Sequence, residues 1–81
     1  MNNQKYTVRK NKMNDCKYIV FKRGAEYYKA MVMSDSTLWI WKDISAFKGE
    51  CYNLQLIKTL ACNCDKSDYE CIYSIAINWL D

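Results

Sequence analysis

Apolar and polar residues in the first half of the chain follow the two-residue period of β-strands. Residues 16–23 and 26–33 are rich in aromatic and β-branched side chains, and the Gly24-Ala25 pair between them suits a two-residue hairpin turn. We therefore predict an antiparallel hairpin of two strands. Residues 6–9 predict a further, short edge strand.

The tight turn also predicts the register of the hairpin. Pairing Arg23 with Glu26 puts Phe21 opposite Tyr28, so that one face of the hairpin is entirely apolar. The opposite face mixes aromatic, aliphatic and lysine side chains: Tyr18, Val20, Lys22, Tyr27, Lys29 and Met31.

A third strand is predicted at residues 37–42, after the polar turn at residues 34–36. This strand carries Trp39 and Trp41. If the connecting loop has three residues, both tryptophans lie on the lysine-bearing face; if it has two or four, they lie on the apolar face. The sequence leaves both alternatives open.

The pattern changes to a helical period after Asp43, which is a favourable N-cap residue. We predict a helix over residues 44–62, with Gly49 on its polar side. The apolar positions that support it recur at spacings of three and four: Ile44, Phe47, Cys51, Leu54, Ile57 and Ala61.

A second helix is predicted over residues 68–80. Ser67 and Glu70 have the spacing of a capping box, in which each side chain accepts a hydrogen bond from a backbone N–H at the helix start. The predicted fold class is therefore α+β, with an antiparallel sheet of three strands (four with residues 6–9) followed by two C-terminal helices packed on it. The 81 residues predict a single domain, with residues 1–4 loosely ordered.

The five cysteines raise the question of a metal site. The chain begins without the apolar segment of a signal peptide, which favours a cytoplasmic protein with reduced thiols. A zinc site would need Cys51, Cys62, Cys64 and Cys71, but their spacing contains no C-x₂₋₄-C pair, and the chain has no histidine. We predict structural cysteines, no metal and no cofactor.

Catalytic patterns are missing from the sequence. Without histidine there is no Ser-His or Cys-His pair, and no glycine-rich phosphate loop or nucleophile elbow occurs. A small domain also has little core around which to build a deep pocket. We therefore predict a binding protein rather than an enzyme, and no apolar run is long enough to span a membrane.

Charge is distributed unevenly along the chain. Residues 1–30 hold eight basic and two acidic side chains, a net +6, whereas residues 31–81 hold four basic and seven acidic ones, a net −3. Such asymmetry is typical of a basic face that meets an acidic partner, either nucleic acid or protein. It is equally compatible with a solvated basic edge that prevents strand association.

Two surfaces are candidate binding sites. The first is the aromatic and basic sheet face, where rings and cations suit single-stranded nucleic acid unless a helix covers them. Its candidate residues are Tyr18, Lys22, Tyr27, Lys29, Trp39 and Trp41. The second is an apolar stripe on the last helix, for a partner or a homodimer: Tyr69, Tyr73, Ile77 and Leu80.

The leading functional hypothesis is a small non-catalytic inhibitor that occludes a host protein or ribonucleoprotein complex. The size, the order of elements and the composition typical of AT-rich genes resemble those of many phage-encoded inhibitors of host defence, including anti-CRISPR proteins. The location would then be the host cytoplasm. The alternatives are a nucleic-acid-binding regulator that uses the basic sheet face and, third, an enzyme or an antitoxin-like partner of a small toxin.

Overall fold

Five antiparallel strands and one helix make up the fold in the computed structural model, which describes residues 5–81. The strands are adjacent in chain order, so the sheet is a meander with β1 and β5 at its two edges. The elements are β1 (Tyr6–Lys10), β2 (Lys17–Arg23), β3 (Glu26–Val32), β4 (Thr37–Asp43), β5 (Leu54–Ala61) and α1 (Tyr69–Leu80). The prediction that residues 1–4 are loosely ordered concerns residues outside this range.

The β2–β3 hairpin has the predicted register. Arg23 pairs with Glu26 and Phe21 with Tyr28 across a turn in which Gly24 adopts a φ of 64°. This left-handed conformation carries little cost for a residue without a Cβ. A two-residue turn therefore determined the pairing, as the sequence indicated.

The β3–β4 connection selects one of the two alternatives for the tryptophans. Met33 N donates to Thr37 O at 2.8 Å, which leaves the three residues 34–36 in the loop. Trp39 then pairs with Met31 and Trp41 with Lys29, on the face that carries the lysine.

The predicted helix over residues 44–62 is wrong, and with it the prediction of three or four strands and two helices. Residues 44–53 form a loop without regular structure, and β5 follows and pairs with β4. Gly49 (φ 92°) and Cys51 (φ 62°) have backbone conformations that no right-handed helix contains. The fold remains α+β, but residues 5–81 form five strands and a single helix.

Helix α1 packs across β2 and β3 and closes the hydrophobic core. Ile72 and Ala76 are buried against the sheet, and the Tyr73 ring makes an edge-to-face contact with Phe21 at a centroid distance of 5.4 Å. The buried apolar residues of the core are Ile19, Phe21, Tyr28, Ala30, Val32, Leu38, Ile40, Cys62, Cys64, Ile72 and Ala76.

The start of α1 differs from the predicted capping box by one residue. The N-cap is Asp68, whose Oδ1 accepts from Cys71 N at 3.2 Å. Ser67 instead donates through both its backbone N–H and its hydroxyl to Asp65 Oδ1. Both arrangements satisfy backbone donors near the helix start, and the carboxylate also interacts favourably with the positive end of the helix dipole.

The cysteines are not all reduced, contrary to the prediction. Cys64 and Cys71 form a disulfide that ties the segment before α1 to the first turn of the helix, whereas Cys16, Cys51 and Cys62 are free. Two of the four thiols considered for zinc are therefore bonded to each other. Within residues 5–81 there is no helix long and apolar enough to cross a membrane.

Candidate binding surface on the open face of the sheet

The sheet face opposite α1, here called the open face, carries all six of the predicted sheet-face residues. Cross-strand pairs place Val20, Lys29, Trp41 and Leu56 in one row from β2 to β5. Alternation along each strand puts Tyr18, Met31, Trp39 and Thr59 on the same side.

Lys29 lies between two aromatic rings at the centre of the open face. Its Nζ is 4.3 Å from the Tyr18 ring centroid and 4.8 Å from that of Trp41. Both distances are within the range of cation–π attraction. Partial burial nevertheless lowers the pKa of Lys29 despite the opposing effect of the nearby Cys51 thiol, because desolvation disfavours the charged amine.

Trp39 and Trp41 form a neighbouring aromatic pair. They are two residues apart on β4, so both side chains lie on the open face, and their ring centroids are 5.8 Å apart. Both side chains are only partly buried. Lys29 connects this pair to Tyr18, because its Nζ lies close to both the Trp41 and the Tyr18 rings. All of these side chains are partly exposed.

The loop at residues 44–53, here called the β4–β5 loop, is held at its base by Asp43. This carboxylate is fully buried: Oδ1 accepts from Ser45 N at 2.8 Å, and Oδ2 accepts from Gly49 N at 2.6 Å. Desolvation alone would raise the pKa of Asp43, but hydrogen bonds from Ser45, Gly49 and Cys51 together outweigh it and lower the pKa. The ionised carboxylate therefore stabilises the loop.

Further hydrogen bonds close the two ends of the loop against each other. Ile44 N donates to Asn53 O at 2.9 Å, and Asn53 N donates to Ser45 Oγ at 3.0 Å. Lys48 Nζ donates to Asp43 O at 3.1 Å. The loop is thus a compact, internally bonded unit whose ends lie close together.

The middle of the loop crosses the open face toward the opposite edge. Arg9 of β1 donates from Nη1 to Gly49 O at 2.9 Å. A Cβ added to Gly49 would lie 3.4 Å from the Tyr27 ring, so the backbone rests directly on that ring. Tyr27 is therefore partly covered by the loop.

The loop and the adjacent strand β5 expose large apolar side chains. Phe47 is 73% exposed and Tyr52 is 63% exposed, and Ile44 and Leu56 are also exposed. Leu56 lies opposite Trp41 in the sheet. Leu56 thus extends the apolar surface of the partly buried Trp41, and contiguous exposed apolar surface is typical of an interaction site.

The structure brings four of the six predicted sheet-face residues together: Tyr18, Lys29, Trp39 and Trp41. Lys22 and Tyr27 form a separate cross-strand pair, with Lys22 Nζ 5.6 Å from the Tyr27 ring centroid. Sequence reasoning missed Phe47, Tyr52 and Leu56, because it assigned the whole segment to a helix. Gly49 was the local signal that could have indicated a loop.

The predicted apolar stripe on the last helix is not a separate surface. All four of its residues are half-buried and pack against the core: Tyr69, Tyr73, Ile77 and Leu80. Tyr73, for example, contacts the Tyr6 ring at a centroid distance of 5.5 Å in addition to Phe21. On the other side of the helix, Trp79 is 40% exposed, and Lys58 Nζ lies 5.9 Å from its ring.

Several basic side chains near the sheet already interact with groups of the protein. Lys42 and Lys48 both reach Glu26 Oε1, at 3.8 and 3.5 Å, and Arg23 pairs with Asp81 at 2.7 Å. Arg9 is engaged by the loop carbonyl described above. Cross-strand register, however, places Arg23 and Lys42 on the face that packs against α1. Of these contacts, only those of Arg9 and Lys48 engage cations beside the open face.

A cleft of about 460 Å³ lies between the start of β2, the end of β3 and the N-terminal end of α1. Asp15, Lys17 and Lys66 contribute its charged side chains, beside the free thiol of Cys16. No histidine or second carboxylate accompanies them in the lining. Nor does any group of three metal-ligating side chains converge within residues 5–81.

Comparison with known proteins found no match to this chain among protein-family models, curated protein sequences or solved structures.

Proposed function

We propose that this chain is a small non-catalytic binding protein that occludes a site on a partner protein. The contact surface consists of the β4–β5 loop and the aromatic side chains of the open face, Tyr18, Trp39 and Trp41. The observation that carries the proposal is the exposure of Phe47 and Tyr52 on a loop that a buried carboxylate holds in one conformation. Aromatic residues are enriched among the anchors of protein interfaces.

The hydrogen bonds that hold the loop support this assignment. A surface that is ordered before binding loses less conformational entropy when the partner arrives. Asp43 and Ser45 fix the base of the loop, and Arg9 fixes its middle, so Phe47 and Tyr52 are presented on a preorganised backbone.

We extend the proposal to an inhibitor encoded by a phage or mobile element, with a host protein or ribonucleoprotein complex as its partner and the host cytoplasm as its location. Small size and a composition typical of AT-rich genes support this part. The Cys64–Cys71 disulfide is an unusual feature for a reducing cytoplasm. The location can be tested by alkylating the protein inside the cells that produce it and then counting how many of its thiols were free to react.

Single-stranded nucleic acid is the second candidate ligand. The arrangement of Lys29 between Tyr18 and Trp41 favours it, since stacked bases and phosphates need rings beside cations. The engagement of Lys48 by Asp43 O and of Arg9 by Gly49 O disfavours it, because two cations beside the open face already have partners. We therefore rank it below a protein partner.

The proposal can be tested by capturing proteins from a lysate of the host. The capture uses the wild-type protein, the Phe47→Ser variant and the Tyr52→Ser variant in parallel. We expect one protein whose recovery each substitution reduces at least about fivefold, because truncating an aromatic anchor at an interface centre commonly costs more than about 1 kcal/mol. Met13→Ser is the matched control, since Met13 is 93% exposed but lies on the β1–β2 connection.

Oligonucleotide binding provides the opposing result. Fluorescence anisotropy at about 0.15 M salt should show only weak, nonspecific binding to single-stranded and duplex DNA. Submicromolar, salt-sensitive binding that Trp41→Ala weakens would reverse the ranking of the two candidates.

A further inference from the structure

The outer edge of β5 offers backbone groups that have no partner strand. β5 is the last strand of the sheet, and pairs only with β4. Two backbone hydrogen bonds outside the strand ladder lie near β5 within residues 5–81. Cys62 N donates to Ser36 O, and Ile44 N donates to Asn53 O. Both lie beyond the ends of the strand, so the outer edge of β5 has no backbone partner among residues 5–81.

The other edge strand, β1, differs in length and charge. β1 has five residues, two of which are Arg9 and Lys10, and Lys5 directly precedes it. Short length and positive charge are the usual means by which an edge strand is protected from pairing with another chain. β5 has eight residues and a single charged side chain, Lys58.

We propose that the edge of β5 binds an extended segment of the partner protein as a sixth strand, in which apolar and acidic side chains alternate. This inference rests on the proposed function and specifies the partner's chemistry. Only an extended backbone supplies N–H and C=O groups at the spacing of a strand edge, and adding a strand to a sheet is a common mode of peptide recognition.

The two sides of β5 determine the alternation. Leu56 and Thr59 lie on the open face, opposite Trp41 and Trp39, and a register irregularity beside Ile57 keeps them on the same side. Lys58 lies on the helix side, where its Nζ is 5.9 Å from the Trp79 ring. A sixth strand would therefore place apolar side chains beside Leu56 and an acidic side chain beside Lys58.

A second copy of this chain fits the edge less well. In an antiparallel pair of two β5 strands centred on the strand middle, the two Lys58 side chains would be directly or diagonally opposite each other. Like charges at such positions are destabilising. An acidic segment of another protein has the complementary charge.

A ten-residue peptide of alternating valine and glutamate is the probe for this site, and its valine–lysine counterpart is the charge control. We expect the glutamate peptide to bind several-fold more tightly than the lysine peptide, because cross-strand pairs of opposite charge are favourable. Amide hydrogen exchange should show new protection confined to β5. Backbone N-methylation of alternate residues on one peptide edge should abolish this protection.

Substitution of Lys58 provides the specificity test. Lys58→Glu should reverse the preference between the two peptides, and Lys58→Gln should remove it. Lys66→Glu is the matched control because it makes the same charge change in the segment between β5 and α1. Lys58 is exposed, so these substitutions should leave the thermal midpoint nearly unchanged.

Three results would overturn the inference. The first is that neither the glutamate nor the lysine peptide protects the amides of β5 from exchange, and the second is that the N-methylated peptide binds as tightly as the unmodified one. The third is protection of β5 that depends only on the concentration of the protein. The last result would mean that a second copy occupies the edge. If Phe47→Ser still abolishes partner capture while the peptides fail, only the edge inference is wrong. If the peptides bind at β5 while capture is unaffected by Phe47→Ser and Tyr52→Ser, only the proposed aromatic surface is wrong.

Discussion

The two faces of the sheet are covered in different ways. On the helix side, α1 places Ile72 and Ala76 against buried side chains of the sheet, and apolar burial closes the contact. On the open face, a ten-residue loop crosses part of the sheet, and its base is held by one buried carboxylate, Asp43. The polar anchoring leaves Phe47 and Tyr52 exposed, so the surface proposed to bind a partner lies on the opposite side of the sheet from the apolar core.

The largest expected effect lies on the helix side. Ile72→Ala removes a side chain that is 1% exposed and should cost about 2–5 kcal/mol of unfolding free energy through lost burial and the cavity that remains. Urea unfolding followed by circular dichroism measures it. Ser74→Ala, at an exposed position of the same helix, is the control and should change little. A loss below 1 kcal/mol for Ile72→Ala would mean that α1 contributes little to the core.

The next effect concerns the anchor of the open face. Asp43→Asn replaces one carboxylate oxygen by an NH₂ group, which would face Gly49 N or Ser45 N as a second donor. The substitution should lower the free energy of unfolding by about 1–3 kcal/mol at neutral pH. Because hydrogen exchange resolves single amides, it should show lost protection at Gly49 while α1 remains protected. Asp15→Asn, on an exposed side chain, is the control. Unchanged protection at Gly49 would show that the carboxylate does not hold the loop.

The pH dependence of stability should identify the same carboxylate. The folded pKa of Asp43 is lowered, so its contribution is fully present above the unfolded value of about 3.9 and is lost as the pH falls through the folded value. Wild type should therefore lose more stability than Asp43→Asn as the pH is lowered through this range. Parallel curves for the two proteins would contradict the assignment.

A smaller effect is expected where α1 begins. Asp68→Ala removes the N-cap acceptor for Cys71 N and should cost about 1 kcal/mol, whereas Ser67→Ala should cost less. Thermal unfolding of both variants measures the difference. If Ser67→Ala were the more damaging change, the capping box predicted from the sequence would describe the helix start better than Asp68 does.

The sequence predicted those parts of the fold that local chemistry determines. Gly24-Ala25 fixed the β2–β3 register, and the period of residues 68–80 indicated α1 to within one residue. Tyr18, Lys29 and the two tryptophans were consequently assigned to one face, with the β3–β4 loop length as the remaining condition.

The sequence failed where long-range contacts decide the structure. The apolar positions from Ile44 to Ala61 fit a helix, but the segment instead forms a loop and an edge strand that completes the pairing of β4. Asp43 does accept a backbone N–H two residues ahead, as a capping residue would, but its second oxygen binds Gly49 N. Arg9 and Gly49 O are in contact although they are 40 residues apart in the chain. Neither of these contacts with Gly49 produces a periodic pattern in the sequence.

The smallest effect on stability should come from Lys29, at the centre of the open face. Lys29→Met keeps an unbranched apolar side chain between Tyr18 and Trp41 but removes the charge. The lost cation–π attraction, about 0.5–1 kcal/mol at an exposed site, is opposed by the relief of a desolvation cost that lowers the pKa of Lys29. The unfolding free energy at neutral pH should therefore stay within about 1 kcal/mol of wild type.

The pH dependence gives this prediction its sign. A lysine with a lowered folded pKa destabilises the fold while it is charged, and the penalty disappears as the pH rises from the folded pKa toward the unfolded value of about 10.4. Wild type should thus gain stability relative to Lys29→Met over that interval, as urea unfolding at a series of pH values would show. A loss well above 1 kcal/mol at neutral pH, or a difference that does not change with pH, would mean that Lys29 supports the fold and that the open face resembles the helix side after all.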